Sequence, residues 1–238
     1  MPLPNVSCIM PTFGRYPSAG WLVDEAVYWF LRQDYPGPRE LVVLNDCGGQ
    51  RLTCDAPGVR IVNWEKRIPT LGEKYNVLLD LASGEIVFPW EDDDVSLPHR
   101  ITQGVTALRD TFAYFNPQYY WWENCGRLEW QHVYGYAHNA SCFRRDLFRY
   151  PAVNGRQDAD GDILARTTLN VAPRAPEDPY YWAYVYRWGV SEWHLSGHQD
   201  MDHAYATAPA GSNGVYSITP KPSKDYVAFV RATLADRG

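Results

Sequence analysis

The sequence predicts an α/β fold, a Rossmann-like mixed sheet flanked by helices within a single domain. Over about the first 100 residues, short apolar runs typical of strands alternate with segments of helical periodicity. After about residue 112 the pattern becomes strand-like and aromatic, which predicts mixed or antiparallel strands that complete the sheet. The length of 238 residues, with 45% hydrophobic and 21% charged residues, suits one domain with one continuous core.

Each predicted element has its own local signal. The first strand is closed by Pro11, and the apolar residues that follow recur at helical spacing. The second strand ends at Asn45-Asp46 before a Gly48-Gly49 turn, and the second helix stops at Ser83-Gly84. The predicted strands are 6–10, 41–44, 59–64 and 86–88, and the predicted helices are 22–32 and 74–82. Strands joined by helices in this order form a parallel sheet with right-handed crossovers.

Aromatic residues are unusually frequent in the second half. The chain contains 10 Trp and 17 Tyr, which crowd between Phe112 and Tyr136 and again between Tyr180 and Trp193. Wide, half-buried strands explain such crowding, because aromatic residues favour strands. A platform on which the apolar face of a sugar ring stacks explains it as well, and the two interpretations are compatible.

Composition and missing motifs exclude several protein classes. A net charge of −6 lacks the basic excess of a general nucleic-acid binder, and five cysteines without a CxxC pair predict neither a disulfide framework nor a zinc knuckle. Neither GxGxxG nor GxxxxGK[ST] occurs, so phosphate must be held in another way. The apolar runs are far shorter than the roughly 20 residues of a membrane span. We therefore expect no transmembrane segment and a cytoplasmic protein.

The acidic run Glu91-Asp92-Asp93-Asp94 is the strongest local signal of a functional site. It directly follows the apolar strand at 86–88, and four adjacent carboxylates repel one another unless cations or hydrogen-bond donors neutralise them. A solvated turn is the alternative explanation. Carboxylate oxygens suit Mg²⁺ or Mn²⁺, which commonly combine one or two carboxylates with substrate phosphates. The run therefore predicts a metal site that binds a nucleoside diphosphate at the carboxyl ends of the strands.

Four blocks, in order, resemble the family 2 glycosyltransferases, which are inverting enzymes of the GT-A fold. The blocks are Val6 to Arg15, Leu41 to Asp46, Leu71 to Asn76, and Ser83 to Asp94 with Leu97 to Ile101 behind it. Together they cover about the first 100 residues. The resemblance implies a metal-dependent hexosyl- or pentosyltransferase that uses a nucleoside-diphosphate sugar, with a UDP-type donor favoured.

The resemblance also implies roles for residues in the donor half. Glu91-x-Asp93 takes the place of the family's DxD motif, which makes Asp93 the direct metal ligand and places Glu91 and Asp92 near the ribose and the donor sugar. Asp46 would accept a hydrogen bond from a uracil-type base, and a cation such as Lys74 or Arg187 would help to neutralise the leaving diphosphate. The remaining residues implied for donor binding are Pro11, Thr12, Phe13 and Arg15 in the nucleoside pocket, with Lys74 and Asn76 at the base or diphosphate.

The carboxyl-terminal half carries a looser match. Residues 143–148 and 157–166 resemble the family's RR-x-L segment and its ED-x-D-L-x-x-R block, which places the catalytic base at Asp160. Asp158 remains a competitor because Ala159 occupies the Glu position, and an acidic first turn of a helix would explain the cluster without catalysis. A later segment resembles one that lends a histidine to the metal in some members, with His194 favoured over His198.

These expectations divide the chain and leave the acceptor open. We expect a donor-binding half at 1–110, an acceptor-binding and catalytic-base half at 111–208, and a tail or lid at 209–238. The acceptor hydroxyl belongs to a glycan, a lipid-linked saccharide, a protein, a metabolite or a modified nucleic-acid base. The alternatives to a transferase are a non-catalytic nucleotide-sugar binding module of the same fold and a nucleotidyltransferase.

Overall fold

The computed structural model describes residues 2–108, 112–117, 119–132, 138–147, 149–154, 182–188 and 200–236. Its strands are β1 (Val6–Thr12), β2 (Arg39–Asn45), β3 (Gln50–Thr53), β4 (Val59–Asn63), β5 (Ile86–Pro89), β6 (Val95–Ser96), β7 (Tyr114–Phe115), β8 (Tyr119–Asn124), β9 (Arg127–His132), β10 (Cys142–Arg144), β11 (Tyr184–Trp188) and β12 (Gly214–Ser217). Its helices are α1 (Gly20–Leu31), α2 (Leu71–Leu81), α3 (Arg100–Leu108), α4 (Met201–Thr207) and α5 (Tyr226–Ala235).

A six-stranded sheet in the order β4-β2-β1-β5-β10-β7 forms the centre of the molecule. The neighbours among β4, β2, β1 and β5 are parallel, whereas β10 is antiparallel to both β5 and β7. One face packs on α1, where Val23 and Val27 join Cys8 in the core, and the other packs on α2 through Leu78 and Leu79. The predicted α/β fold, a mixed sheet flanked by helices, is confirmed.

Helix α2 begins three residues before the sequence-based boundary at Lys74 because Thr70 caps it. The Thr70 hydroxyl accepts a hydrogen bond from the Glu73 backbone N–H at 3.2 Å and donates to the Glu73 carboxylate at 2.9 Å. Such a cap satisfies a backbone donor that the first helical turn leaves unpaired. The cap fixes the helix start beside the carboxyl ends of β1 and β2.

A second sheet, in the order β6-β11-β8-β9, carries the aromatic strands of the second half. Strand β11 lies antiparallel to β6 and parallel to β8, and β8 and β9 form an antiparallel hairpin. Since β6 starts at Val95, directly after Asp94, this sheet attaches the aromatic strands to the end of the acidic run.

The segment predicted as a tail or lid lies against the amino-terminal half over its described residues. Strand β12 pairs in parallel with β3, and the Tyr216 ring stacks on Tyr16 at 5.1 Å between centroids. The backbone N–H of Ser223 donates to Glu25 at 2.6 Å. The sequence predicted a turn at Gly48-Gly49 but no strand after it, because the partner of β3 lies more than 150 residues further along the chain.

No helix in the described ranges combines the length and apolarity needed to cross a bilayer.

A buried aromatic cluster connects α2 to the segment 149–154. The Tyr75 and Tyr150 rings stack at 4.8 Å, and His138 lies edge-on to both rings with its Nε2 2.5 Å from the Tyr150 hydroxyl. Gly72 permits this approach, because a Cβ there would lie 1.8 Å from the backbone oxygen of Pro151. Burial, with a smaller contribution from Arg100, lowers the pKa of His138 to about 4. The imidazole is therefore neutral at pH 7.

The buried histidine predicts a defined pH dependence of stability. The unfolded chain binds a proton at His138 near pH 6.5 and the folded chain only near pH 4, so the contribution of this group is fully present above 6.5 and is lost as the pH falls through 4. His138→Gln should flatten the free energy of unfolding between these pH values by up to about 3 kcal/mol. Urea titrations at several pH values measure this slope. His203→Gln, at an exposed position, is the matched control and should leave the slope unchanged. An equal slope in wild type and His138→Gln would contradict the assignment.

Candidate functional site

The carboxyl ends of three neighbouring parallel strands converge on the acidic run. Thr12 ends β1, Asp46 follows β2, and Glu91 to Asp94 follow β5 after Pro89 and Trp90. Trp90 anchors this edge, since its indole N–H donates to the Ala26 carbonyl of α1 at 3.0 Å. The polar residues that the sequence predicted at the strand ends therefore share one edge of the sheet, where α/β proteins bind ligands.

Asp92 is held by hydrogen bonds from two side chains, Arg15 and Thr12. Arg15 donates to it from Nε at 2.8 Å and from Nη2 at 2.5 Å, and the Thr12 hydroxyl donates at 2.6 Å. The same Nη2 lies 3.2 Å from Asp93 Oδ2. Although burial opposes the charge, Asp92 raises the pKa of Arg15, so the guanidinium stays charged. Nη1 of Arg15 is buried and has no hydrogen-bond partner among the described residues, so it retains a donor for a bound anion.

Asp94 and Arg187 join the acidic run to strand β11. The Tyr184 hydroxyl donates to one oxygen of Asp94, and the Arg187 backbone N–H donates to the other at 2.8 Å. The Arg187 side chain turns inward, where Nε donates to the Asp93 carbonyl at 2.5 Å and Nη1 pairs with buried Glu25 at 2.5 Å. These contacts hold β11 and α1 against the run.

Glu91 lies at the opposite end of the run, where the Tyr75 hydroxyl donates to it. Burial raises the pKa of Glu91 to about 8, and the carboxylates of Asp93, Asp94 and Asp92 raise it further while the Tyr75 hydrogen bond opposes them. Glu91 is therefore largely protonated at pH 7 and can donate a hydrogen bond. Its protonation removes one negative charge from the run.

Lys74 forms a buried ion pair with Asp46 on the other side of Thr12. Its Nζ donates to Asp46 Oδ1 at 2.6 Å and to the Thr12 carbonyl at 2.7 Å, while the other Asp46 oxygen accepts from the Ile68 backbone N–H at 2.9 Å. Burial lowers the pKa of Lys74 to about 8, against the attraction of Asp46. Asp46 has no exposed surface, so its carboxylate is engaged within the protein.

Arg67 is a feature of this site that the sequence reasoning missed. Its guanidinium carbon lies 3.3 Å from the ring centroid of Phe13 and 4.0 Å from that of Tyr205, so the cation contacts both rings. Nη1 lies 3.9 Å from Asp46, and neither it nor Nε has a hydrogen-bond partner in the described part of the chain. A single arginine in a loop carries no spacing signal, and its partner Tyr205 lies 138 residues away.

The other predicted site residues lie in β1 and the loop after it, in α2, or outside the described residues. Phe13 is partly exposed beside Arg67, and Pro11 is buried within β1. The Asn76 amide bonds the backbone of Tyr150 through both of its ends, at 2.8 and 2.9 Å, and so anchors the segment 149–154. The candidates Asp158, Asp160, His194 and His198 lie outside the described residues.

The donor set of the acidic run fits a hard divalent cation that takes further ligands from phosphate and water. Asp93 is 8% exposed and lies 3.2 Å from Nη2 of Arg15, whereas Asp92 accepts hydrogen bonds from Arg15 at 2.5 and 2.8 Å. Among the described residues, no group of three His, Cys, Asp or Glu side chains is arranged to hold a metal. A cation at Asp93 would take further oxygen ligands from phosphate or water.

The fold is similar to those of solved glycosyltransferase structures. S. aureus TarS 1–349 in complex with UDP-GlcNAc matches with a TM-score of 0.62 and 14% identity, over 82% of this chain and 62% of that one. The UDP complex of the same fragment matches with a TM-score of 0.55 and 15% identity, over 77% of this chain and 60% of that one.

A third match is the mannosyltransferase PcManGT from Pyrobaculum calidifontis, in complex with GDP-Man and Mn²⁺. It has a TM-score of 0.54 and 17% identity, over 89% of this chain and 66% of that one. This chain thus spans less than two thirds of each of these structures. No family model and no curated protein sequence matches it. At these identities the similarity is one of fold, and that fold is the GT-A-like α/β architecture.

Proposed function

We propose that this protein is an inverting glycosyltransferase that moves a sugar from a nucleoside-diphosphate sugar, with a UDP-type donor favoured, to an acceptor hydroxyl. The observation that carries the proposal is the acidic run at the carboxyl end of β5, where Arg15 and Thr12 neutralise Asp92 and leave Asp93 beside an unpaired guanidinium donor. Fold neighbours crystallised with UDP-GlcNAc, UDP and GDP-Man support a nucleotide-sugar ligand.

The nucleoside is assigned to the pocket beside Thr12, Phe13 and Arg67. Phe13 is partly exposed and offers an aromatic ring against which a base can stack. Nε and Nη1 of Arg67 are donors for base carbonyls or for phosphate oxygens. Asp46 serves here through Lys74, because the ion pair holds Nζ against the Thr12 carbonyl at the rim of the pocket.

The diphosphate is assigned to a position beside Arg15 and Asp93, where it would meet Nη1 of Arg15. Nη1 of Arg15 donates to a phosphate oxygen, and protonated Glu91 hydrogen-bonds a hydroxyl of the ribose or the sugar. Asp93 would hold Mg²⁺ or Mn²⁺, which supplies Lewis-acid stabilisation of the leaving diphosphate. Donors fixed before the reaction stabilise the charge that develops on the leaving group without further reorganisation.

The acceptor hydroxyl requires a base on the face of the sugar opposite the diphosphate. Asp160 is assigned this role, with Asp158 as the competing candidate. Attack from that face inverts the anomeric carbon, and the acceptor proton moves to the carboxylate as the glycosyl bond breaks.

Two other functions remain as alternatives. A nucleotide-sugar binding module of the same fold would bind the donor without turnover, and the Ala159 departure favours it. A nucleotidyltransferase also places carboxylates after a strand, but it would release pyrophosphate. Incubation with Mn²⁺ and a panel of nucleotide sugars distinguishes these alternatives, because slow release of the nucleoside diphosphate marks a glycosyltransferase.

Asp93→Asn should weaken nucleotide-sugar binding at least about tenfold in Mn²⁺, because the amide loses the charge that attracts the cation. Calorimetric titration in Mn²⁺ and in EDTA measures both affinities. Wild type should lose affinity in EDTA, whereas Asp93→Asn should not respond. Asp55→Asn, at an exposed position, is the control and should behave as wild type. Wild-type affinity that is the same in EDTA would contradict the metal assignment.

Asp160→Asn should reduce the transfer rate about 10²- to 10⁴-fold with unchanged donor affinity, because it removes only the base. Asp158→Asn is the matched comparison, since it changes the neighbouring carboxylate of the same cluster and should retain most of the rate. If Asp158→Asn loses the rate and Asp160→Asn retains it, Asp158 is the catalytic base. Wild-type turnover in both variants would remove both residues from the mechanism.

A further inference from the structure

The outer face of the second sheet carries four aromatic side chains in a continuous patch. Tyr120 and Trp122 of β8 lie beside Tyr186 and Trp188 of β11, since Tyr186 pairs with Trp122 and Trp188 with Asn124. The ring centroids are 6.1 Å apart for Tyr120 and Tyr186, 6.2 Å for Trp122 and Trp188, and 6.3 Å for Tyr186 and Trp188. We call these four residues the aromatic platform.

The platform remains accessible in the folded chain. Trp188 is 38% exposed, and the other three members are partly exposed. The alternate residues Trp121, Glu123, Val185 and Arg187 point to the opposite face and are buried. Alternate residues of a strand point to opposite faces of the sheet. In this sheet the charged residues Glu123 and Arg187 lie on the buried face, whereas the four platform rings lie on the accessible face. An accessible patch of large rings marks a binding surface.

The platform is continuous with the candidate reaction centre. Tyr184 lies on the same face of β11, two residues before Tyr186, and its hydroxyl donates to Asp94. Exposure increases outward along this row, from Tyr184 at 3% through Tyr186 to Trp188 at 38%. The Tyr184 ring also lies 4.8 Å from Arg100, which bonds the carbonyl of Asn139 next to the His138 cluster. The platform therefore leads away from the Asp94 end of the acidic run.

The chemistry of the platform fits a saccharide. Ring faces stack on the apolar faces of pyranose rings, and the adjacent strand β9 adds polar side chains at Glu129 and Gln131 that pair in register with Trp122 and Tyr120. A nucleic acid would require several cations, and the neighbouring residues of β9 on this face contribute only Arg127.

We propose that the aromatic platform binds the acceptor and that the acceptor is a saccharide chain, which occupies the row from Trp188 towards Tyr184. That the bound saccharide is an acceptor rests on the proposed function. Saccharide binding by the platform does not depend on it. Trp188 and Tyr120 are binding residues in this assignment and take no part in bond breaking.

The first measurement is binding of neutral and acidic oligosaccharides on a glycan array, followed by titration of the strongest ligand against the full chain. Trp188→Ala and Tyr120→Ala should each weaken binding at least about fivefold, because each loses one stacking contact. Trp130→Ala is the matched control, since Trp130 is 47% exposed in the same sheet but pairs with Trp121 of the buried face, and it should bind as wild type. Circular dichroism shows whether each variant is folded. If either Trp188→Ala or Tyr120→Ala fails to fold, the binding measurement relies on the other.

The second measurement separates this inference from the proposed function. Release of the nucleoside diphosphate in Mn²⁺ without acceptor tests the transferase. The array ligand should accelerate that release in wild type and in Trp130→Ala but not in Trp188→Ala. If no nucleotide sugar is turned over while platform variants lose saccharide binding, the proposed function fails and the saccharide surface stands. The inference is overturned if no oligosaccharide binds or if the platform variants bind oligosaccharide as wild type does. It is also overturned if a protein, lipid or nucleic acid accelerates release of the nucleoside diphosphate.

Discussion

Neutralisation of four consecutive carboxylates is the constraint on which the rest of the structure depends. Every carboxylate of the run accepts hydrogen bonds from side chains or backbone elsewhere in the chain. Tyr75 donates to Glu91, Thr12 donates to Asp92, Arg15 donates to both Asp92 and Asp93, and Tyr184 and the Arg187 N–H donate to Asp94. Carboxylates buried at this density are tolerated only when they are paired or protonated. Because the donors come from β1 and the loop after it, from α2 and from β11, the acidic run fixes the relative positions of these elements.

The sequence predicted the amino-terminal half well because its elements are local. The strands at 6–10, 41–44, 59–64 and 86–88 each appear in the structure, extended or shortened by a few residues, since each buried apolar run is bounded by its own turn or cap. The short strand β3 carried no such signal, because its four residues alternate between buried and exposed and depend on β12 for pairing. Its partner could not be found from spacing.

For the site, the sequence predicted which polar residues meet at one edge of the sheet but not how they pair with one another. The convergence of Thr12, Asp46 and the acidic run follows from parallel strand order, which periodicity predicts. The inward turn of Arg187 onto Glu25 and the bonding of Asn76 to Tyr150 depend on tertiary packing that no motif encodes. The role of Arg67 depends on the contact between the loop after β4 and Tyr205 of α4, which the sequence does not predict. Long-range contacts of single residues are the part that sequence alone leaves open.

The buried pair of Glu25 and Arg187 has a consequence for the synthesis of this chain. Glu25 also accepts hydrogen bonds from Ser223. Its two partners, Arg187 and Ser223, are synthesised 162 and 198 residues after it. Until then α1 exposes a charge that the folded protein buries completely. Although the parallel strands can form early, the nascent chain cannot complete the acidic edge before most of its length has emerged.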